Sequence, residues 1–217
     1  MNYTLGTILT FTIVVPAIIG LVRFSKIHQA YYPFIFCIWL GLINETIGTI
    51  VISLGYYNII NFNIYLLIES ILITWQFKNW NLFQKRKIVF PAIISGLIIF
   101  WTINTAITGM KDFNSYFMIG YSFLISIMSI SVFNKLIITE RKSLIKNPVF
   151  IICVAYVIFY TSNVLSEIFL LYSFKNIDSF ALGMNSMSMI TNFFTIILYT
   201  FAILWMPKKQ KFTLPSS

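Results

Sequence analysis

Charge is scarce in this chain. Of its 217 residues, 10% are charged, six are acidic and one is a histidine. A water-soluble domain carries about 25% charged residues, so a fully hydrated surface is excluded. The lone His28 excludes a membrane-embedded zinc hydrolase, which needs several histidine ligands inside the bilayer. It also leaves no nucleophile-and-base pair within the apolar segments, so an enzyme is not expected. The two cysteines, Cys37 and Cys153, fall inside apolar segments and suit buried packing better than a disulfide framework or a metal site. No glycine-rich phosphate loop or dinucleotide fingerprint is present. No lysine lies between Lys175 and Lys208, which excludes retinal held as a Schiff base in the middle of the last apolar segment. Neither a cofactor nor a metal is expected.

Apolar residues are what the chain has in excess: 59% of the total, with a mean hydropathy of +0.86. They form continuous runs of about 20, the length that carries an α-helix across a bilayer. The runs do not alternate with a period of two, so a transmembrane barrel is excluded. The net charge of +9 does not imply nucleic acid, because the basic residues sit in short clusters between apolar runs and form no contiguous face. The fold class expected is an all-α membrane protein, a single seven-helix transmembrane domain over residues 1–217.

The spans are expected at 4–23, 33–54, 62–80, 88–108, 114–137, 148–173 and 180–206. Pro33, Pro91 and Pro148 stand near helix starts, where a missing amide hydrogen costs nothing. Pro16 lies inside the first span and should kink it. The first span reads as a retained helix and not as a cleaved signal, since its basic residues follow the apolar run. Every basic residue except Lys111 and Lys175 falls in the first, third or fifth connection or in the C-terminal tail. The positive-inside rule then puts the N-terminus outside and the C-terminus in the cytoplasm. Localisation in the cytoplasmic (inner) membrane follows as an expectation. An internal repeat is also expected: PFIFCI (33–38) resembles PVFIICV (148–154), and ESILIT (69–74) resembles NSMSMIT (185–191). Cys37 with Cys153, and Glu69 with Asn185, share an offset of 116 residues. Spans 1–3 and 5–7 would be parallel copies joined by span 4, an arrangement known among transporters.

Half of the six acids lie inside spans: Glu45, Glu69 and Glu167. At 1.5 Å per residue they sit about 14, 10 and 9 Å below the outer ends of their helices, so their depths agree. Each belongs to a helical stripe. Span 6 aligns Tyr156, Tyr160, Asn163 and Glu167; span 3 aligns Tyr65, Glu69 and Gln76; span 7 aligns Asn185, Ser188, Asn192, Thr195 and Tyr199. Asn44 adjoins Glu45 in span 2. Serines of span 5 and the glycines Gly41, Gly48 and Gly55 are expected to serve helix packing. A charged acid in mid-membrane costs about 2.5–3.5 kcal/mol even on the lenient insertion scale. No intramembrane Lys or Arg is there to offset it, so the acids must bind a proton, bind a cation or face a watered cavity.

These features point to a transporter or permease for a small cationic or polar solute, coupled to protons. Glu45, Glu69 and Glu167 would bind the cation or proton. Asn44, Asn163, Asn185 and Asn192 would offer neutral hydrogen bonds, and Tyr65 and Tyr160 would wall the site. The partners expected are the solute or proton and the lipid bilayer, with a homo-oligomer or membrane partner left open. Two other readings stand beside it. One is a sensor whose basic loops QKRK (84–87) and ERKSLIK (140–146) touch a cytoplasmic partner; the other is a structural subunit of a membrane complex.

Overall fold

The computed structural model describes residues 3–139, 144–172 and 178–208, with side chains over 6–138, 144–171 and 186–208. Among the described residues there are eight α-helices: α1 (Tyr3–Phe11), α2 (Val14–Arg23), α3 (Tyr32–Ser53), α4 (Ile59–Asn79), α5 (Val89–Thr108), α6 (Ser115–Thr139), α7 (Pro148–Tyr172) and α8 (Asp178–Trp205). Counting α1 and α2 as one, seven are long and apolar enough to cross a membrane. Among the described residues the only β feature is an isolated bridge between Ile27 and Lys208.

The division of the first span has a local cause. Pro16 has no amide hydrogen to give to the carbonyl of Thr12, which instead accepts from Val15 N at 3.0 Å. Two hydroxyls loosen the turn before it: Thr12 Oγ1 donates to Leu9 O at 2.6 Å, and Thr10 Oγ1 donates to Thr7 O at 3.0 Å. Such back-bonding competes with the helix ladder and bends it. The α-helical pattern resumes with Ala17 N donating to Ile13 O at 3.1 Å. The expected kink is therefore a break, and it turns Thr10 and Ile13 toward the bundle interior.

The helices close into a ring. The α1–α2 pair packs on α3 and α8, α3 on α4, α4 on α6, α6 on α7, and α7 on α8. Only α5 stands outside, against α4 and α6. The outward surface is apolar, with exposed Ile43, Ile47, Ile99, Ile103, Phe123 and Ile127, as a lipid-facing surface requires. Gly41 lets α2 and α3 approach: a Cβ there would lie 2.8 Å from Ile13 Cδ1. Gly55 serves a different purpose. It follows the end of α3 with φ +83°, and Tyr56 N reaches back to Val51 O at 3.1 Å. This is a left-handed helix cap, which favours glycine for its backbone and not for close packing.

Polar pins hold both ends. At one end Arg23 donates to the carbonyls of Ile203 (2.8 Å), Leu204 and Met206 (3.2 Å), capping the C-terminus of α8 with a cation. Beside it, Gln76 accepts from Phe34 N at 2.9 Å and donates to Ala30 O at 2.6 Å, tying α4 to the start of α3. Gln76 shares the stripe of Glu69 but is fully engaged here. At the opposite end Asn63 donates to Asp112 O at 2.8 Å and accepts from Asn114 N at 3.1 Å. The aromatics near the span ends divide: Tyr57 is 90% exposed, whereas Tyr31 is buried edge-on against Trp80.

Candidate functional site

Glu69 lies near the middle of α4 and is 7% exposed. One helical turn before it, Tyr65 donates its hydroxyl to Glu69 Oε1 at 2.6 Å. From the facing helix α6, Tyr121 donates to Oε2 at 2.9 Å. Tyr160 on α7 also approaches the carboxyl group, and Cys37 Sγ on α3 lies 4.0 Å from the Glu69 carbonyl oxygen. Four helices thus converge on one acid. An O–H···O⁻ bond of 2.5–2.7 Å is the short, charge-assisted kind, and Tyr65 fits it. With a donor on each oxygen, the carboxylate form is hydrogen-bonded without a neighbouring Lys or Arg.

Glu69 separates two cavities. The larger, about 240 Å³, is lined by Thr10, Asn44, Glu45, Tyr121, Asn163 and Asn192 together with apolar neighbours. The smaller, about 50 Å³, is lined by Cys37, Tyr156, Tyr160, Thr195 and Tyr199 among others. Ile13, Gly41, Tyr65, Glu69, Phe159 and Asn192 border both. The larger cavity lies toward the end of the bundle that Asn63 pins. The smaller lies toward the Arg23 end, above an aromatic floor in which Tyr156 meets Tyr199 edge-on (centroids 6.0 Å) and Tyr199 meets Phe34 edge-on at 5.1 Å.

Most of the expected site residues come together. Glu45 is half-buried, lines the larger cavity and faces the Thr10 hydroxyl. Asn44 lines the same cavity while its Oδ1 accepts from Asn61 Nδ2 at 2.8 Å. Asn163 and Asn192 line it from α7 and α8. The side chain of Asn185 lies outside the described residues. Glu167 does not join them: it is 8% exposed, faces the Ser115 hydroxyl, and is not among the described residues lining either cavity. It sits against the first turn of α6, where the helix dipole favours an acid. Glu167 was expected at the depth of the other two, but α6 packs over α7 there and closes it off.

Two contributors were not expected. Tyr121 belongs to a stripe of α6 whose other members, Met118, Ile125, Met128 and Val132, are buried and apolar. A single hydroxyl in such a stripe is its only mark in the sequence. Thr10 reaches the cavity because the chain breaks before Pro16. Two serines of span 5 bond back on their own helix: Ser126 donates to Ser122 O and Ser129 to Ile125 O.

Comparison with known protein families, with curated proteins and with solved structures found no match.

Proposed function

We propose that the protein is a small transporter for a cationic or polar solute, entered from the side of the larger cavity. One observation carries the reading: Glu45 and Glu69 line a single cavity within the membrane-spanning ring, and Asn44, Asn163 and Asn192 line it with them. Buried carboxyl groups inside a bilayer are costly, and a shared aqueous cavity with neutral hydrogen-bonding groups is what a polar solute crossing it requires. A volume of about 240 Å³ lies below the usual range of about 300–1,000 Å³ for ligand pockets, so the solute is small. The second cavity behind Glu69 supports a path over a simple receptor pocket.

The cavity faces outward in this proposal, because the basic residues mark the opposite end as cytoplasmic and the membrane as the cytoplasmic one. Arg23 and Lys208 both lie at that end, as the contacts of Arg23 with α8 and the Ile27–Lys208 bridge place them. The two three-helix copies would be α1–α4 and α6–α8, and α5, the helix that would join them, is the least buried of the seven spans.

Proteoliposomes containing the purified protein test the reading with methylammonium, tetramethylammonium and glycerol as probes. Saturable uptake of one of them, lost in Glu45→Gln and Glu69→Gln and kept in Glu167→Gln, is the expected result. Saturable binding without flux would transfer the same cavity to a sensor. Neither binding nor flux for any probe, with the three variants stable, would leave the acids as structural pins.

A further inference from the structure

We infer that Glu69 is a proton-exchange site joining the two cavities, and that the smaller cavity is a water chamber that receives the proton on the side toward the basic end. This deepens the transporter reading and rests on it by naming the coupled ion.

The choice of a proton follows from the groups around Glu69. The titratable groups facing it are Tyr65 from its own helix, Tyr121 from α6, Tyr156 and Tyr160 from α7, Cys37 from α3 and Tyr199 from α8, with Glu45 across the larger cavity. None of these is a Lys, Arg or His. Both carboxylate oxygens receive hydroxyl protons, at 2.6 and 2.9 Å. A metal cation needs several oxygens turned toward it with their lone pairs, and these hydroxyls point their hydrogens inward. A proton needs no such cage.

The smaller cavity supplies a second, independent observation. Tyr156 lines it, is 2% exposed, and among the described residues its hydroxyl has no protein hydrogen-bond partner. A buried hydroxyl left unpaired is costly, and ordered water is its usual partner. A cavity of about 50 Å³ exceeds the roughly 10–15 Å³ that one water requires. Thr195, whose hydroxyl donates to Thr191 O at 2.8 Å, keeps lone pairs free to accept from water in the same space. The proton would reach Glu69 from the larger cavity, neutralise one oxygen, and pass to water beside Tyr156.

Infrared difference spectra of the lipid-reconstituted protein, between acidic and alkaline buffer in H₂O and D₂O, test both halves. Wild type is expected to show a titrating carboxylic C=O band that shifts in D₂O. Glu69→Gln should abolish it and Glu45→Gln should leave it. Should Glu69→Gln fail to fold, Tyr121→Phe provides the same assignment: the band persists and its midpoint moves, while the exposed Tyr116→Phe changes nothing. In the same spectra the Cys37 S–H stretch, assigned by Cys37→Ala, should exchange to S–D much faster than that of Cys153, which is fully buried. An unchanged band in Glu69→Gln, an unmoved midpoint in Tyr121→Phe, or Cys37 exchange as slow as that of Cys153 overturns the inference. Solute flux without a Glu69 band removes the proton site and keeps the transporter. A Glu69 band without flux keeps the proton site and removes the transporter.

Discussion

At the scale of single residues, the three intramembrane acids part company. Glu69 is held by two tyrosine hydroxyls from different helices, Glu45 shares its cavity, and Glu167 answers to the start of α6. Removing one donor from Glu69 leaves a buried oxygen unsatisfied, which costs about 1–3 kcal/mol. Tyr121→Phe is therefore expected to lower thermal stability in detergent. In a double-mutant cycle with Glu69→Gln the two changes should be coupled by about 0.5–3 kcal/mol; additive effects would mean that the contact contributes nothing. Glu45→Gln has a different signature. Half-buried and facing the cavity, it should weaken cation binding about tenfold, or roughly 1.4 kcal/mol, with little change in melting temperature. Glu167→Gln should leave binding within about twofold, read by the same titration.

Among elements, the break between α1 and α2 and the close approach at Gly41 shape the site. Pro16 creates the first by withholding a hydrogen bond, and Gly41 permits the second by withholding a side chain. Gly41→Val would press on Ile13 and intrude on both cavities. Overpacking of this kind costs about 1–3 kcal/mol, so a lower melting temperature together with blocked uptake is expected. Unchanged uptake would separate the passage from this helix contact. The end of α8 depends on Arg23, which caps three of its last carbonyls. Hydrogen bonds to a charged group contribute about 1.5–3 kcal/mol, less where the guanidinium is partly exposed, as here. Arg23→Ala should lower the melting temperature by several degrees, while Arg86→Ala, on an exposed turn, should leave it unchanged.

For the whole molecule, the proposed orientation makes a prediction independent of any substrate. Tyr57 lies exposed in the uncharged connection and Lys85 in a basic one. In a cysteine-free background, Tyr57→Cys in intact cells should react with an impermeant maleimide, and Lys85→Cys should react only after the membrane is opened. The reverse pattern would invert the cavity and place its mouth in the cytoplasm. The ring of spans around a polar centre, with α5 outside it, also accounts for the low charge of the chain. Its lipid-facing surface has no use for charge, and half of its six acids lie inside the spans.

Seven helices, their approximate ends and the intramembrane acids can all be read from the order of residues. Each depends on local chemistry: run length, proline position and the cost of charge in hydrocarbon. What the fold alone decided is azimuth and company. Glu69 and Glu167 were expected at similar depth and on similar stripes, yet one opens on a cavity and the other is covered by α6. One partner of Glu69 is Tyr121, 52 residues away on a stripe whose other members are apolar. Which helix packs beside which depends on contacts distant in sequence, and no periodicity within one helix encodes the face that its neighbour will cover.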